Sequence, residues 1–453
     1  MLSYSFKKYK PYYNENLKLA LPIVVSQLGH TLVHMADGII VGHFAGTVQL
    51  AAVSLVNSLF MLILVLGLGI SYGLTPLIAQ ANGSKDYEKC GKLLANSILI
   101  NFIFAVILVV LVYLVSFTLI NHLGQSADVV EHAKPYLRLM GVSIIPLMIF
   151  QSFKQFTEGL GFTKQAMSIS IWGNIVNIIF GIIFVKGMFG IEPMGVRGVG
   201  YATLIDRVAM AIAMGAYVFN SKRFIPYLTH FAFKAINFKK IKEIIKLGAP
   251  VAMQYSFEIS AFSGAGIMIG TIGKVEQASH FTALSLAAFT YMLASGIASA
   301  ATIKTGHNYG GKKFVDLRHS AIASYHVVLL FMGFTAILFM GANQFLPYIF
   351  TDDKMVVGLA AQLLIIAGFF QLFDGTQVVG LGILRGIGDV NIPTFITFLS
   401  YWVVGIPLGY YVGIYHGVGV KGIWYGLTFG LLAASILLFW RFQVLSKKLN
   451  QFN

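Results

Sequence analysis

Charge is what this sequence has least of. Only 11% of its 453 residues are Asp, Glu, Lys or Arg, against about 25% in an average soluble domain. A soluble core of this length has no use for so much apolar surface, whereas a membrane does. The shortfall therefore excludes a soluble enzyme, a nucleic-acid-binding domain and a disordered chain together. Cysteine is almost absent. Cys90 stands alone, which excludes an intrachain disulfide and any zinc cluster built on thiolates. A cleavable leader is missing from the pattern as well. Lys7, Lys8 and Lys10 precede an apolar run from Leu17 to Val41. That run is longer than the ~7–15-residue core of a signal peptide and has no small-residue cleavage site. It reads as a retained first transmembrane helix.

What is present is hydrophobic: 57% of the chain. A spanning helix needs ~20 mostly apolar residues. Cutting at polar, Gly- and Pro-rich breaks predicts twelve, over 17–41, 49–80, 92–120, 135–157, 165–187, 197–220, 243–271, 278–304, 318–346, 356–383, 391–415 and 420–442. The longest gap, 221–242, carries Lys222, Arg223, Lys234, Lys239 and Lys240 among aromatics. It is expected to lie as a basic interfacial linker on an anionic leaflet.

The net charge of +15 sorts by side. Loops on the N-terminal side hold Lys85, Lys89 and Lys92, then Lys154 and Lys164, the linker cluster, Lys304, Lys312, Lys313 and Arg318, Arg385, and finally Arg441, Lys447 and Lys448. The opposite side holds Lys186, Arg197, Lys274, Lys354 and Lys421, with Lys134 and Arg138 near the start of the fourth span. The positive-inside rule places both termini in the cytoplasm, and an even span count agrees. The basic excess is thus topological and implies no nucleic-acid partner.

The two halves repeat at an offset of about 227 residues. Lys18-Leu19-x-x-Pro22 returns as Lys246-Leu247-x-x-Pro250, Gly69-Ile70 as Gly296-Ile297, Gly159-x-Gly161 as Gly386-x-Gly388, and Gly195-Val196-Arg197-Gly198 as Gly419-Val420-Lys421-Gly422. Six spans per half make the repeats parallel. The expected fold class is an all-α polytopic membrane protein: two six-helix bundles related by a pseudo-twofold axis along the membrane normal. The expected division is an N-terminal lobe 1–220, the linker 221–242 and a C-terminal lobe 243–453. Two similar bundles around a central site suit a transporter that works by alternating access.

Several motifs mislead. Gly306-x-x-x-x-Gly311-Lys312 resembles a phosphate-binding loop, but Lys313 replaces the required Ser or Thr and no strand precedes it. With no ATPase domain, an ion gradient is the energy source. Asn82-Gly83-Ser84 reads as a turn rather than a glycosylation site. Gly266/Gly270 and Gly422/Gly426 have the Gly-x-x-x-Gly spacing, which in a twelve-helix bundle reads as close internal packing.

An ionisable group inside the hydrocarbon is a functional candidate by default. Glu258, following Gln254-Tyr255-Ser256-Phe257, falls near the middle of span seven, and Asp374 within span ten. Neither has a Lys or Arg nearby in its own span. Such carboxyls hold a proton or a cation, and oxygen ligands suit a hard ion. Gln254 is a further cavity group. His30, His34 and Asp37 follow i, i+4, i+7 on one face of span one. They read as cavity polar groups beside a proton-binding Asp rather than as a metal site. Asp206 and Arg207 are adjacent in span six, point about 100° apart, and are cavity groups without an assigned role. Tyr291 in span eight could help to hold a desolvated cation on its aromatic face.

These residues resemble the multidrug and toxic compound extrusion (MATE) family of transporters, closest to its NorM-type bacterial branch. The resemblance spans essentially the whole chain. Leu19-x-x-Pro22, Asp37-Gly38-x-x-Val41-Gly42, Glu158-Gly159-x-Gly161, Gly195 through Thr203, Pro250 through Glu258, and Leu384-Arg385-Gly386-x-Gly388-Asp389 carry it. It implies antiport, with Na⁺ or H⁺ entering while an amphipathic organic cation leaves, and no other cofactor. It implies a C-lobe cation site of Glu258, Tyr291 and Asp374, and an N-lobe proton or cation site of Asp37, Asn177 and Thr203. The second span-five position of the family falls on Gly181, which has no side chain to offer. Membrane lipids, small cationic substrates, a monomer and a bacterial inner membrane complete the expectation. The alternative is a lipid-linked saccharide flippase of the same superfamily, which needs a cationic cavity. An intramembrane aspartyl protease would need Asp37 and Asp374 together, and these lie in different lobes.

Overall fold

The computed structural model describes residues 2–232 and 236–451. Lys234 of the linker lies outside them. Every regular element among the described residues is helical, as lipid demands, because a helix closes its own backbone hydrogen bonds. In order they are α1 (Leu2–Phe44), α2 (Thr47–Tyr72), α3 (Leu74–Gly83), α4 (Tyr87–Phe117), α5 (Ala127–Val142), α6 (Ile144–Gly159), α7 (Thr163–Lys186), α8 (Val196–Asn220), α9 (Ile225–Leu228), α10 (Phe238–Gly270), α11 (Lys274–Gly310), α12 (Phe314–Gly341), α13 (Lys354–Ile387), α14 (Asn391–Phe398), α15 (Ile406–Tyr410) and α16 (Val420–Asn450).

All twelve expected segments fall on helices. Eleven are long and apolar enough to cross a membrane. The twelfth, α10, has the length, at 33 residues. Its apolar character is diluted by Lys239, Lys240, Lys242, Glu243 and Lys246 at its start and by Glu258 further on. The second span is α2 continued by α3, and the fourth is α5 continued by α6. The eleventh is α14 and α15 with π-helical turns at Leu399–Gly405 and Tyr411–Tyr415.

The apolar surface is turned outward. On α4, Ile103, Ile107, Val110, Leu114 and Phe117 are exposed, while Ala105, Leu108 and Val112 are buried. One apolar face of the helix packs inside and the other is left for lipid, so residues of the same type, Leu108 and Leu114 or Val112 and Val110, divide by position on the helix and not by size.

The chain forms two compact units, Met1–Val24 with Met253–Asn453, and Val25–Ala252. The divisions fall inside α1 and α10 rather than at the linker, where 220 and 243 were expected. Polar contacts explain the first. The stem of α1 is tied to α12: Asn16 Nδ2 donates to Ser320 O (3.0 Å) and Ser324 Oγ (2.9 Å), and Tyr12 OH donates to Asp316 Oδ1 (2.7 Å). Glycine notches explain both. A Cβ on Gly296 would stand 3.0 Å from Val24 N, and one on Gly69 would strike Ala252 Cα. These two glycines occupy equivalent places in the repeat, one in each unit. Removing the buried hydrogen bonds with Asn16→Ala is expected to destabilise the protein by about 1–3 kcal/mol. Glu15→Gln, which breaks the exposed pair with Lys304 (2.5 Å), should change little. Thermal unfolding of the purified protein in detergent reads both.

The linker is anchored on protein. Tyr227 packs edge-on to Tyr87 at 5.0 Å and donates to Asn82 Oδ1 (3.1 Å), and Asn237 N donates to Asn96 Oδ1 (2.8 Å). Burial pushes the Tyr227 hydroxyl up to about 12, with Tyr87 and Cys90 adding to it.

Candidate functional site

The C-terminal unit gathers its carboxylates from α10 and α13. Glu258 and Asp374 are buried, 7% and 4% exposed, and lie within electrostatic reach of one another. Tyr291 of α11 donates its hydroxyl hydrogen bond to Glu258. Asp374 Oδ1 has no hydrogen-bond partner among the described residues. The structure thus brings Glu258, Tyr291 and Asp374 together.

It adds two groups that sequence reasoning missed. Tyr401 lies in the π-helical turn, fully buried, and its hydroxyl donates to Gln377 Oε1 (2.9 Å). Gln377 stands one turn beyond Asp374 on the same face. Tyr401 also lies within reach of both carboxylates. A π-helical turn in an apolar span often marks a functional position, but no periodicity in the sequence announces one. The resulting donor set is all oxygen, which suits a hard monovalent cation or a proton.

Arg385 corrects the sequence reading. It was assigned to a loop, yet it ends α13, is half-buried, and reaches Glu258 electrostatically. Its guanidinium lies 5.7 Å from the Tyr255 ring centroid, and Nη2 donates to Gln254 Oε1 (3.5 Å). Gln254 is therefore a tie rather than an open cavity group. Its Nε2 also donates to Thr394 Oγ1 (3.0 Å) and Val390 O (3.2 Å), joining α10 to α14.

The N-terminal unit is built differently. Asn177 Nδ2 donates to Thr203 Oγ1 (3.1 Å), joining α7 to α8. Asp37 is buried at 2% exposure, with Oδ1 lacking a partner among the described residues. Its electrostatic neighbours are Arg207 and Asp206. A Cβ on Gly181 would meet Ile40 Cδ1, an apolar neighbour, at 3.5 Å. His30 and His34 are half-buried on α1. Arg207 reaches both, and it is fixed by donation to Ser143 Oγ (2.7 Å) and by the Phe60 ring at 5.4 Å. Asp206 and Arg207 form no ion pair within 4.0 Å.

Lys154 is a second correction. It was counted as a cytoplasmic loop charge but sits within α6, 5% exposed. It donates to Ser26 Oγ (3.2 Å) and pairs with Glu158 one turn on (3.9 Å). His30 lies within its electrostatic reach. The Lys154 and Glu158 spacing of i, i+4 was visible in the sequence, but the apolar segment was cut just where they stand. Removing one partner strands a buried charge, so Lys154→Met is expected to cost about 3 kcal/mol. The double variant with Glu158→Gln should recover most of that, measured by thermal unfolding.

Helices long and apolar enough to cross a membrane define an integral membrane protein, and carboxylates buried among them suit a transporter. The sequence profile of the MatE family matches residues 22–183 and again 250–411, one match in each half of the repeat. The chain belongs to the MatE family, a family of transporters and not of enzymes. It is 29% identical over 442 residues to a probable multidrug resistance protein NorM of Agrobacterium fabrum (strain C58), covering 96% of this chain and 95% of the relative. Among solved structures, the eukaryotic MATE transporter AtDTX14 superposes with a TM-score of 0.89 at 18% identity, over 98% of this chain and 99% of that one. A MOP superfamily transporter from Pyrococcus furiosus, described with a binding pocket of reverse polarity that suggests a different function, gives 0.88 at 22% identity over 97% of each chain. At these identities the structural likeness is one of fold.

Proposed function

We propose that this efflux transporter is a secondary antiporter that exports amphipathic organic cations in exchange for Na⁺ or H⁺. The observation that carries the reading is the C-terminal carboxylate pair. Glu258 and Asp374 are buried together, with Arg385 as the cation within reach of Glu258. Two carboxylates against one guanidinium leave one negative charge uncompensated. One proton or one monovalent cation restores neutrality, and a buried charge is costly until it does. Tyr291 and Tyr401 supply neutral hydroxyls around that charge, and Gln377 holds the Tyr401 hydroxyl.

Coupling then needs the ion and the drug to prefer different states. Outward-open protein takes the ion at Glu258 and Asp374, and the loaded site favours a state with lower affinity for drug. The drug leaves, the protein returns inward, and the ion is released. Asp37 with Asn177 and Thr203 is a second ion position in the N-terminal unit, served by protonation because Gly181 offers no ligand. The loop charges support an orientation with both termini cytoplasmic, and the reading takes the chain as a monomer in a bacterial inner membrane.

The test is export of a fluorescent organic cation from proteoliposomes under an imposed Na⁺ or H⁺ gradient. One gradient is expected to drive export and the other not. Export indifferent to both gradients overturns the reading.

One observation favours a second reading, flipping of a lipid-linked saccharide. Such a protein needs buried cations for its pyrophosphate. The N-terminal unit holds Lys154 and Arg207 at 5% and 6% exposure, where the sequence offered Arg207 alone. A reconstituted lipid-flipping assay distinguishes the two.

A further inference from the structure

Basic residues are sparse on the side that the loop charges assign away from the cytoplasm, and three of them converge. Lys134, Arg138 and Arg197 line one pocket of about 630 Å³ together with Glu131, Asn121 and Gln125. All belong to the N-terminal unit. Glu131, Lys134 and Arg138 follow i, i+3, i+7 and share one face of α5, and Arg197 enters from the first turn of α8. The amides come from the connection between α4 and α5.

The charges are not neutralised within the protein. Three cations face one carboxylate, and no ion pair within 4.0 Å among the described residues involves any of the four. Arg138 is nevertheless held in place. Its Nε donates to Ser116 Oγ (3.1 Å), and its guanidinium lies 4.4 Å from the Phe117 ring centroid. That leaves both Nη groups free to point at a ligand. Arg197 sits at a helix N-terminus with no acid in the turn, where the helix dipole opposes a cation. Like charges gathered around a pocket, one of them at the positive end of a helix dipole, favour an anion there.

We propose that this pocket binds an anionic phosphate group. A fixed guanidinium beside two further cations fits the oxygens of a phosphate. The volume falls within the ~300–1,000 Å³ usual for small-molecule sites. The surroundings point to a lipid headgroup as its source. Phe117, which stacks on Arg138, is 59% exposed, and Leu114 and Val110 continue the same lipid-facing stripe of α4. A phosphate in the pocket would leave its acyl chains along that stripe. The location on the outer side rests on the loop-charge orientation, whereas the anion chemistry does not.

The experiment titrates the purified full chain in detergent with phosphatidylglycerol, with phosphatidylcholine and with inorganic phosphate, reading bound ligand by native mass spectrometry. Phosphatidylglycerol is expected to bind at least tenfold tighter than phosphatidylcholine. The triple variant Lys134→Ala, Arg138→Ala, Arg197→Ala should lose that preference. Glu131→Gln, which removes the lone acid, should strengthen it, a gain that misfolding cannot produce. Inorganic phosphate binding that the triple variant abolishes, without a preference between the lipids, supports the phosphate site with a free phosphate as its ligand. Equal binding of the two lipids with no phosphate binding, or a triple variant that binds as the natural chain does, overturns the proposal.

Discussion

Asp374→Asn and Glu258→Gln are each expected to lower ion-driven export of an organic cation about a hundredfold. The amides keep the shape and volume of the acids and remove only the charge. Without Asp374, Arg385 already balances Glu258, and without Glu258 the carboxylate pair that holds the ion is broken, so in either variant the site gains less by taking an ion. Coupling free energies of about 1–3 kcal/mol separate a working exchanger from an uncoupled one, and this substitution removes their source. Tyr291→Phe should cost less, about tenfold, because it deletes one neutral donor from a hydrogen bond worth about 1.5–3 kcal/mol to a charged group. Initial export rates in proteoliposomes under a fixed gradient measure all three, and thermal unfolding shows whether the variants stay folded. If both acid variants export at the natural rate, these carboxylates are not the ion site.

Gly426→Val is expected to prevent folding altogether. A Cβ at Gly426 would strike Gly409 N and Cα and stand 2.6 Å from Gly405 O. Gly422 meets Gly413 backbone in the same seam, and Gly430 lies against Ser400 O. The obstacles are backbone atoms, which no rotamer change can move, and they belong to α15 and to the π-helical turns on either side of it, the first of which carries Tyr401. Separating the two helices would also unpack Trp424, which is fully buried and donates to His280 Nδ1 (3.1 Å). The cost is expected to exceed about 4–5 kcal/mol, the range of severe single substitutions. It would be read as loss of monodisperse protein after detergent extraction. Gly333→Ala, where an added Cβ meets nothing, should extract normally.

The contrast between these two sites shows what a sequence makes visible. Glu258 and Asp374 stood out because an acid in an apolar run is chemically conspicuous, whatever its partners. Gly422 and Gly426 stood out by spacing, and the structure uses them for internal packing. Tyr401 and Gln377 did not stand out: one tyrosine among 21 has no local mark, and its role comes from a π-helical turn beside α13. Lys154 and Arg385 were misplaced for a related reason. A cation near the end of an apolar segment looks like a loop charge, and only packing tells a buried one from a solvated one.

The membrane class, the helical spans, the repeat and the family resemblance could all be read from the amino-acid sequence, because each depends on composition or on regular spacing along one chain. Tertiary structure alone decided where the units divide. That division rests on contacts between residues hundreds of positions apart, such as Asn16 with Ser320 and Ser324. It also decided which cations are buried, that Arg385 accompanies Glu258, and that Lys134, Arg138 and Arg197 share a pocket. Electrostatic energy depends on distance in space and on exclusion of water, and neither quantity is written along the chain.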